Sequence, residues 1–343
     1  MTVRDRSTAT TEATTDAPAT MRAIVQDRYG EAHDVLYRAE VPVPEPADDE
    51  VRIRVQAVGV DRAVWHLMAG IPYLVRPAFG LRRPRRRIRG REVAGTVDAV
   101  GRAVTDLAVG DEVFGMIEEA FAEYAVGSPA KLRRLPAGAS FVEAAALPVS
   151  GTTALQAIRD KADVLPGDRV LVVGASGGVG NYCVQLAKAA GAEVTGVCQG
   201  SKADFVRSAG ADHVIDHTTT RLGDLDERFD VIIDIGGNRP LRELRGLMTE
   251  RGRLVLAGGE DGGRWFGMQR QLWAVLLSLA VRQKLVMLVA SERGEDLEAL
   301  SALVESGEVR ALVERTFTLT EAAEAVQHLQ DGQVRGKVVV TVD

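Results

Sequence analysis

Residues 169–180, RVLVVGASGGVG, constrain the fold more than any other stretch of the chain. Val170 to Val173 is an unbroken apolar run, the pattern of a parallel strand covered on both faces. Ala175, Gly177 and Gly180 then fall on the A-x-G-x-x-G spacing of a dinucleotide turn. Gly177 lacks a Cβ, so the backbone can close on a pyrophosphate, and Gly180 lets the following helix pack against the strand. The residues expected against the ligand are Ser176, Gly177, Gly178, Val179 and Gly180, where the helix start offers N–H groups and partial positive charge. A glycine motif alone also suits a plain strand-to-helix turn. Here an amphipathic segment (Val184, Leu186, Ala187, Ala190) leads to a second strand, Glu193 to Cys198, and so completes a βαβ unit.

The end of that second strand is informative for what it lacks. NAD-binding units place an Asp or Glu about twenty residues after the glycines, where it bonds the ribose hydroxyls. This chain reads Cys198-Gln199-Gly200-Ser201-Lys202, with no carboxylate before Asp204. A carboxylate there would repel a 2′-phosphate, whereas the Ser201 hydroxyl and Lys202 ammonium would bind it. The cofactor is therefore expected to be NADPH rather than NADH. The plain alternative for Lys202 is a solvated lysine at a helix start.

With 343 residues, 46% of them hydrophobic, the chain suits two globular domains. A net charge of −6 gives no general attraction to nucleic acid or to an anionic membrane. The two cysteines, Cys183 and Cys198, both fall in the nucleotide-binding half, which excludes a disulfide framework and a cysteine-rich zinc lobe. The start of the chain is polar, without the pattern of a secretory signal, and the most apolar window, Leu272 to Ala280, is too short to span a bilayer. A cytoplasmic location is expected.

Residues 1–20 are Thr/Ala-rich with no apolar period and are expected to be a disordered tail. From Met21 to Ala144 the chain reads as β-rich, with strands at MRAIVQ, Glu50–Val60, Glu92–Val100, Glu112–Met116 and Phe121–Val126. From Phe141 the period becomes helical, and strands then alternate with helices: Val170–Val173, Val194–Cys198, Val214–Ile215, Val231–Ile235, Leu254–Ala257 and Leu285–Val289. That succession predicts a doubly wound parallel sheet. A tail from Ser291 holds two helices and two strands, the last at Lys337 to Val342, and is expected to return to the first domain. The expected division is thus 21–144, 145–290 and 291–343.

Several motifs together resemble the medium-chain dehydrogenase/reductase superfamily and, within it, the zinc-independent quinone oxidoreductase branch. They are MRAIVQDRYG, the strand GVDRAVWHLMAG (59–70), GREVAGTVDAVG (90–101), GDEVFG (110–115), LPVSGTTALQAI (147–158), the ASGGVG turn, GADHVIDH (210–217) and RGKVVVTV (335–342). The resemblance covers residues 21–343. It implies an α/β fold, a GroES-like β-barrel domain plus a Rossmann doubly wound parallel-sheet domain, with the cofactor in the cleft between them.

Zinc dehydrogenases of this superfamily use a Cys after the G-V of the second motif and a His in a G-H-E triplet. Here those positions hold Asp61 and Arg91, and an arginine cannot lose its proton to ligate a metal. No metal is expected. Without a Lewis acid, alcohol oxidation loses its usual route to an alkoxide, whereas hydride reduction of a quinone or an α,β-unsaturated carbonyl needs none. The resemblance also implies that Thr153 faces the nicotinamide and that Gly258 and Gly259 approach its ribose. It places Ser201 and Lys202 at the 2′-phosphate, His217 near the adenosine phosphate, and Arg335 and Lys337 where the tail reaches the cleft. Asp61 and His66 stand where quinone oxidoreductases commonly carry Asn and Tyr, so Asp61, His66 and Tyr73 are the polar groups expected to face the acceptor. His66 also reads as a barrel histidine with a local partner. A His or Tyr there could give the proton that follows hydride transfer to an enone, while a quinone could take its proton from water.

From Arg76 through Arg91, both included, there are eight arginines and no acid, expected to form an exposed loop at the rim of the cleft. The apolar stretch Trp265 to Leu279 is implied to form helices beside the substrate pocket, and Leu285–Val289 an edge strand open to pairing in a homodimer. The reading is a cytoplasmic NADPH-dependent, zinc-independent quinone or enone oxidoreductase with a small-molecule substrate and neither nucleic-acid nor membrane partners. The alternatives are a metal-free alcohol dehydrogenase or carbonyl reductase of the same superfamily, and a low-turnover NADPH-binding sensor protein.

Overall fold

Two patterns of burial sort the strands into two main sheets. The computed structural model describes residues 17–237, 239–258, 263, 265 and 269–343. Strand β1 (Thr20–Val25) pairs with β2 (Tyr37–Pro42), a strand that the sequence pattern did not mark. Strands β3 (Val51–Val60), β4 (Glu92–Val100), β5 (Glu112–Met116), β6 (Tyr124–Gly127) and β7 (Leu132–Arg134) build the first large sheet. The chain then forms β8 (Arg169–Val173), β9 (Glu193–Cys198), β10 (His213–Asp216), β11 (Phe229–Asp234), β12 (Met248–Leu256) and β13 (Lys284–Met287). Finally β14 (Val313–Thr318) and β15 (Lys337–Thr341) close the chain.

The first large sheet runs β14-β15-β3-β4-β5-β7, with β6 also on β3. In this sheet β15 lies antiparallel to β3, with Val340 opposite Val58. Ile53, Val58, Val93, Val97, Phe121, Val338 and Val340 fill its core. Each such side chain contributes roughly 1.5–3 kcal/mol by leaving water.

The second sheet is six-stranded in the order β10-β9-β8-β11-β12-β13, with every pairing parallel. The order reverses between β8 and β11. In such sheets the crevice beyond the carboxyl ends at the reversal is where ligands bind. Val170, Leu171 and Val172 are fully buried, as expected of a strand covered on both faces.

Three expectations need adjustment. The 59–70 motif is not one strand: β3 stops at Val60 and Arg62–Ala69 is a helix. Asp61 caps it by accepting from the Val64 backbone N–H at 3.0 Å, and Val64 and Met68, one turn apart, are buried in the barrel core. The strand expected from Phe121 starts only at Tyr124, because Ala122 instead bridges Ala23 of β1. The tail expected over residues 1–20 lies, through residue 16, outside the described residues, and β1 already begins at Thr20.

Candidate active site

At the reversal of the second sheet, the backbone leaves β8 through Gly174, whose φ of +85° is a conformation L side chains rarely adopt. A Cβ there would lie 3.1 Å from the Gly236 amide nitrogen, so the loops after β8 and β11 pass in close contact. The A-x-G-x-x-G spacing starts one residue later and misses this glycine, although it stands next to the motif. Gly177 then caps the helix Gly178–Ala189. A Cβ on Gly180 would lie 2.0 Å from the Gly174 carbonyl oxygen, which accounts for a glycine at that position. A Cβ on Gly177 would meet only that same oxygen, at 3.5 Å, so this point of the turn opens onto space. Ser176 is buried and its carbonyl accepts from the Gly336 N–H at 2.8 Å, tying the turn to the returning tail. Val179, half-buried, packs on the core of the second sheet.

Beyond β12, Gly258 is held against the loop after β11, since a Cβ on it would lie 1.9 Å from the Ile235 carbonyl oxygen. Its own carbonyl accepts from Gln271 Nε2 at 2.8 Å. Gly259 lies outside the described residues. The Thr153 hydroxyl donates to the Val149 carbonyl at 2.6 Å, one turn back in its helix Pro148–Leu155.

The end of β9 carries the expected Ser201 and Lys202. Ser201 is exposed, but Lys202 is buried and is no solvated helix-start lysine. Its Nζ donates to the carbonyls of Gly332 and Val334 at 2.7 and 3.0 Å. Burial holds its pKa below the usual lysine value, with Glu314 acting the other way and Arg335 adding like charge. The Arg335 backbone N–H donates to Glu314 at 3.1 Å. His217 is exposed, and its backbone N–H donates to the Cys198 carbonyl at 3.1 Å. The structure also adds a carboxylate that β9 alone could not reveal. Asp216 pairs with Cys198 in register, and a Cβ on Gly200 would lie 2.3 Å from Asp216 Oδ2. Its Oδ1 accepts from the Thr218 N–H and hydroxyl at 2.9 and 2.7 Å, and these bonds keep it ionised below the usual carboxylate range.

Lys337 departs from the position expected of it. The side chain is fully buried and its ammonium turns inward, onto Glu92 Oε2 and onto Ser150 Oγ at 3.0 Å. Lys337 heads a run of β15 that is buried at every position as far as Val340, so the strand is covered on both faces there. Glu92, also fully buried, accepts from the Val149 N–H at 2.8 Å. Burial raises its pKa to about 7, against the pull of Lys337.

At the lip of the barrel, the three expected acceptor groups are all engaged locally. Asp61 Oδ1 caps the Arg62–Ala69 helix, while its Oδ2 is buried with no hydrogen-bond partner among the described residues. His66 Nδ1 lies 3.2 Å from the Ile71 carbonyl, the geometry of a donated N–H. Tyr73 meets Trp265 edge-on at 5.3 Å between centroids, and the Arg76 guanidinium lies 4.5 Å from the Tyr73 ring centre and 4.6 Å from that of Tyr29. The Leu74 N–H donates to the Trp265 carbonyl at 3.2 Å, so the lip touches the far side of the cleft. The arginine-rich segment is not uniformly exposed: Arg89 is buried, and Arg91 pairs with Glu292 and, at 3.0 Å, with Glu118. A polar cavity of about 180 Å³ opens beside Arg91, Glu118 and Glu292. Among the described residues, no three His, Cys, Asp or Glu side chains converge as metal ligands, and no helix is long and apolar enough to cross a membrane.

Two family models match the chain. One, described as an alcohol dehydrogenase GroES-like domain, covers residues 47–157; the other, described as a zinc-binding dehydrogenase, covers residues 209–340. A chloroplast envelope quinone oxidoreductase homolog from Arabidopsis thaliana is 31% identical over 93% of this chain and 98% of its own length. An NADPH-dependent alkenal/one oxidoreductase of the same plant is 29% identical over 97% of this chain and 83% of its own. The solved quinone oxidoreductase of Coxiella burnetii superimposes with a TM-score of 0.83 at 27% identity, covering 94% of this chain and all of that one (100%).

Proposed function

The chain belongs to the medium-chain dehydrogenase/reductase superfamily, in its quinone oxidoreductase-like branch, and from that premise we propose that it is an NADPH-dependent, zinc-independent reductase of quinones or α,β-unsaturated carbonyls. The observation that carries this reading is the glycine turn at the reversal of a parallel sheet, with the barrel lip reaching across to Trp265.

The residues fit a dinucleotide. The first turn of Gly178–Ala189 has N–H groups without intrahelical acceptors, and the bare Cα of Gly177 leaves room for a pyrophosphate. Ser201, Lys202 and Arg335 would hold the 2′-phosphate, and His217 would lie at the adenosine edge. Asp216, kept ionised by Thr218, sets a negative charge beside Gly200 that opposes a 2′-phosphate, and the positive charge of Lys202 and Arg335 would have to outweigh it. Thr153 and Gly258 would border the nicotinamide. When bound, the cofactor supplies the hydride. The acceptor then gains a hydride and a proton: His66, oriented by its Nδ1 contact to Ile71, or Tyr73, stacked on Arg76, can deliver that proton to an enolate. A reduced quinone oxygen is basic enough to take it from water.

Zinc does not fit the positions that the resemblance assigns to its ligands. Asp61 caps a helix, Arg91 is a guanidinium paired with two glutamates, and the neighbouring Glu92 is neutralised by Lys337. No step is derived through a metal. Cys183 and Cys198 are buried free thiols, which suits a reducing cytoplasm.

A homodimer is part of the same proposal. The helix Gln269–Ser278 exposes Trp273 and Leu276, Leu279 just beyond it is 86% exposed, and β13 leaves an edge of its sheet unpaired among the described residues. A monomer in sedimentation would contradict it.

Cofactor choice is tested by Lys202→Ala. A lost charge-assisted phosphate contact should weaken NADPH by on the order of 1.5–3 kcal/mol while sparing NADH. Equal dissociation constants of the wild type for the two cofactors would refute the NADPH assignment.

A further inference from the structure

Lys337 turns away from the cleft, and the side chain that stands between it and the glycine turn is Ser150. Ser150 Oγ accepts from Lys337 Nζ at 3.0 Å. The same oxygen lies 3.2 Å from where a Cβ would sit on Gly178, the first residue of the turn helix, and Lys337 Cδ lies 3.2 Å from that same point. Ser150 is fixed from the other side as well, because its backbone N–H and that of Val149 approach Glu92 Oε1 at 3.4 and 2.8 Å. Strand β4 through Glu92, strand β15 through Lys337 and the Pro148–Leu155 helix through Ser150 therefore meet beneath the helix start.

A hydroxyl that accepts from an ammonium keeps its own proton to donate. The ammonium also polarises the hydroxyl and makes it a stronger donor. Among the described residues, Ser150 Oγ accepts from Lys337 but donates to no other group. It stands beside Gly178, the first residue of the turn helix and the neighbour of the open Gly177.

On the reading of a nicotinamide dinucleotide site, we infer that Ser150 is a ligand of the cofactor's pyrophosphate. Lys337 is the positioning residue that orients and polarises it, and Glu92 holds the Lys337 ammonium in place from the other side. The arrangement reassigns Lys337: its charge acts through Ser150 and not by contact.

The test titrates NADPH, NADH and adenosine 2′-monophosphate, which lacks a pyrophosphate, into four proteins. They are the wild type, Ser150→Ala, the paired variant Glu92→Gln/Lys337→Met, and all three changes together. The paired variant removes both charges and so leaves neither buried alone. Ser150→Ala should weaken NADPH about 10-fold and leave adenosine 2′-monophosphate unchanged. The paired variant should weaken NADPH about 3-fold, but add nothing once Ser150 is alanine, because its effect passes through that hydroxyl. An NADPH affinity of Ser150→Ala within twofold of wild type overturns the inference. So does equal weakening of both ligands, or additivity of the serine and charge-pair changes. A wild-type protein that binds neither NADPH nor NADH overturns the cofactor reading and this inference together.

Discussion

At the glycine turn the backbone itself shapes the proposed site, whereas at the barrel lip each polar side chain expected to meet an acceptor is already used by its own chain. Gly174, Gly177 and Gly180 leave space or contact by lacking a Cβ; the spacing reports the last two, and the positive φ of Gly174 is seen only in the structure. Asp61 caps a helix, His66 leans on Ile71 and Tyr73 is wedged between Arg76 and Trp265. A site of the first kind is fixed once the strand and helix form. A site of the second kind rests on local partners that serve structure equally well, so only measurement separates its two uses.

The lip gives the largest expected effect. If His66 or Tyr73 passes the proton to an enone, His66→Ala or Tyr73→Phe lowers turnover roughly 10²–10⁴-fold, with NADPH affinity nearly unchanged. Quinone turnover should change far less. If neither substitution alters any kinetic constant with any acceptor, the lip residues are barrel structure and the comparison fails on that side.

At the turn, the expected effect falls on stability as well as binding. Gly180→Ala places a Cβ 2.0 Å from the Gly174 carbonyl oxygen, a backbone atom that cannot step aside without moving the turn. Thermal unfolding should show a loss of about 1–3 kcal/mol, with weakened NADPH binding. An unchanged melting curve would mean that the turn is looser than its geometry.

The smallest effect concerns the buried pair that joins the two regions. Burial raises Glu92 to about 7, above its ordinary value, so the folded protein binds this proton more tightly than the unfolded chain does. The group's contribution to stability is then fully present below the ordinary carboxylate pKa and is lost as pH rises through about 7. Glu92→Gln should flatten that part of the stability profile, which denaturant titrations at several pH values can measure. Parallel profiles would show that Lys337 keeps the carboxylate ionised throughout.

What the sequence revealed follows the same division. The second sheet was legible because strands buried on both faces read as unbroken apolar runs, and the turn because glycine spacing reports backbone shape. The 59–70 motif enters as a strand of the resemblance, whereas the Asp61 cap and the Val64–Met68 spacing are the residues that mark the helix Arg62–Ala69. The resemblance puts Lys337 where the tail reaches the cleft, and its burial is not legible in the sequence because its partner Glu92 lies 245 residues away. Asp216 escaped notice because it reaches Gly200 from a neighbouring strand, where only register brings the two together.

The central claim is hydride transfer from NADPH to a conjugated acceptor without a metal, in a cleft whose ligand positions hold Asp61 and Arg91. Its most direct test follows the absorbance of NADPH with purified, exhaustively chelated protein against a panel of quinones, enones and alcohol–aldehyde pairs. The account predicts steady oxidation of NADPH with a quinone or an enone, faster than with NADH and unaffected by chelation. Activity confined to alcohols and aldehydes, or restored only by added zinc, would contradict it.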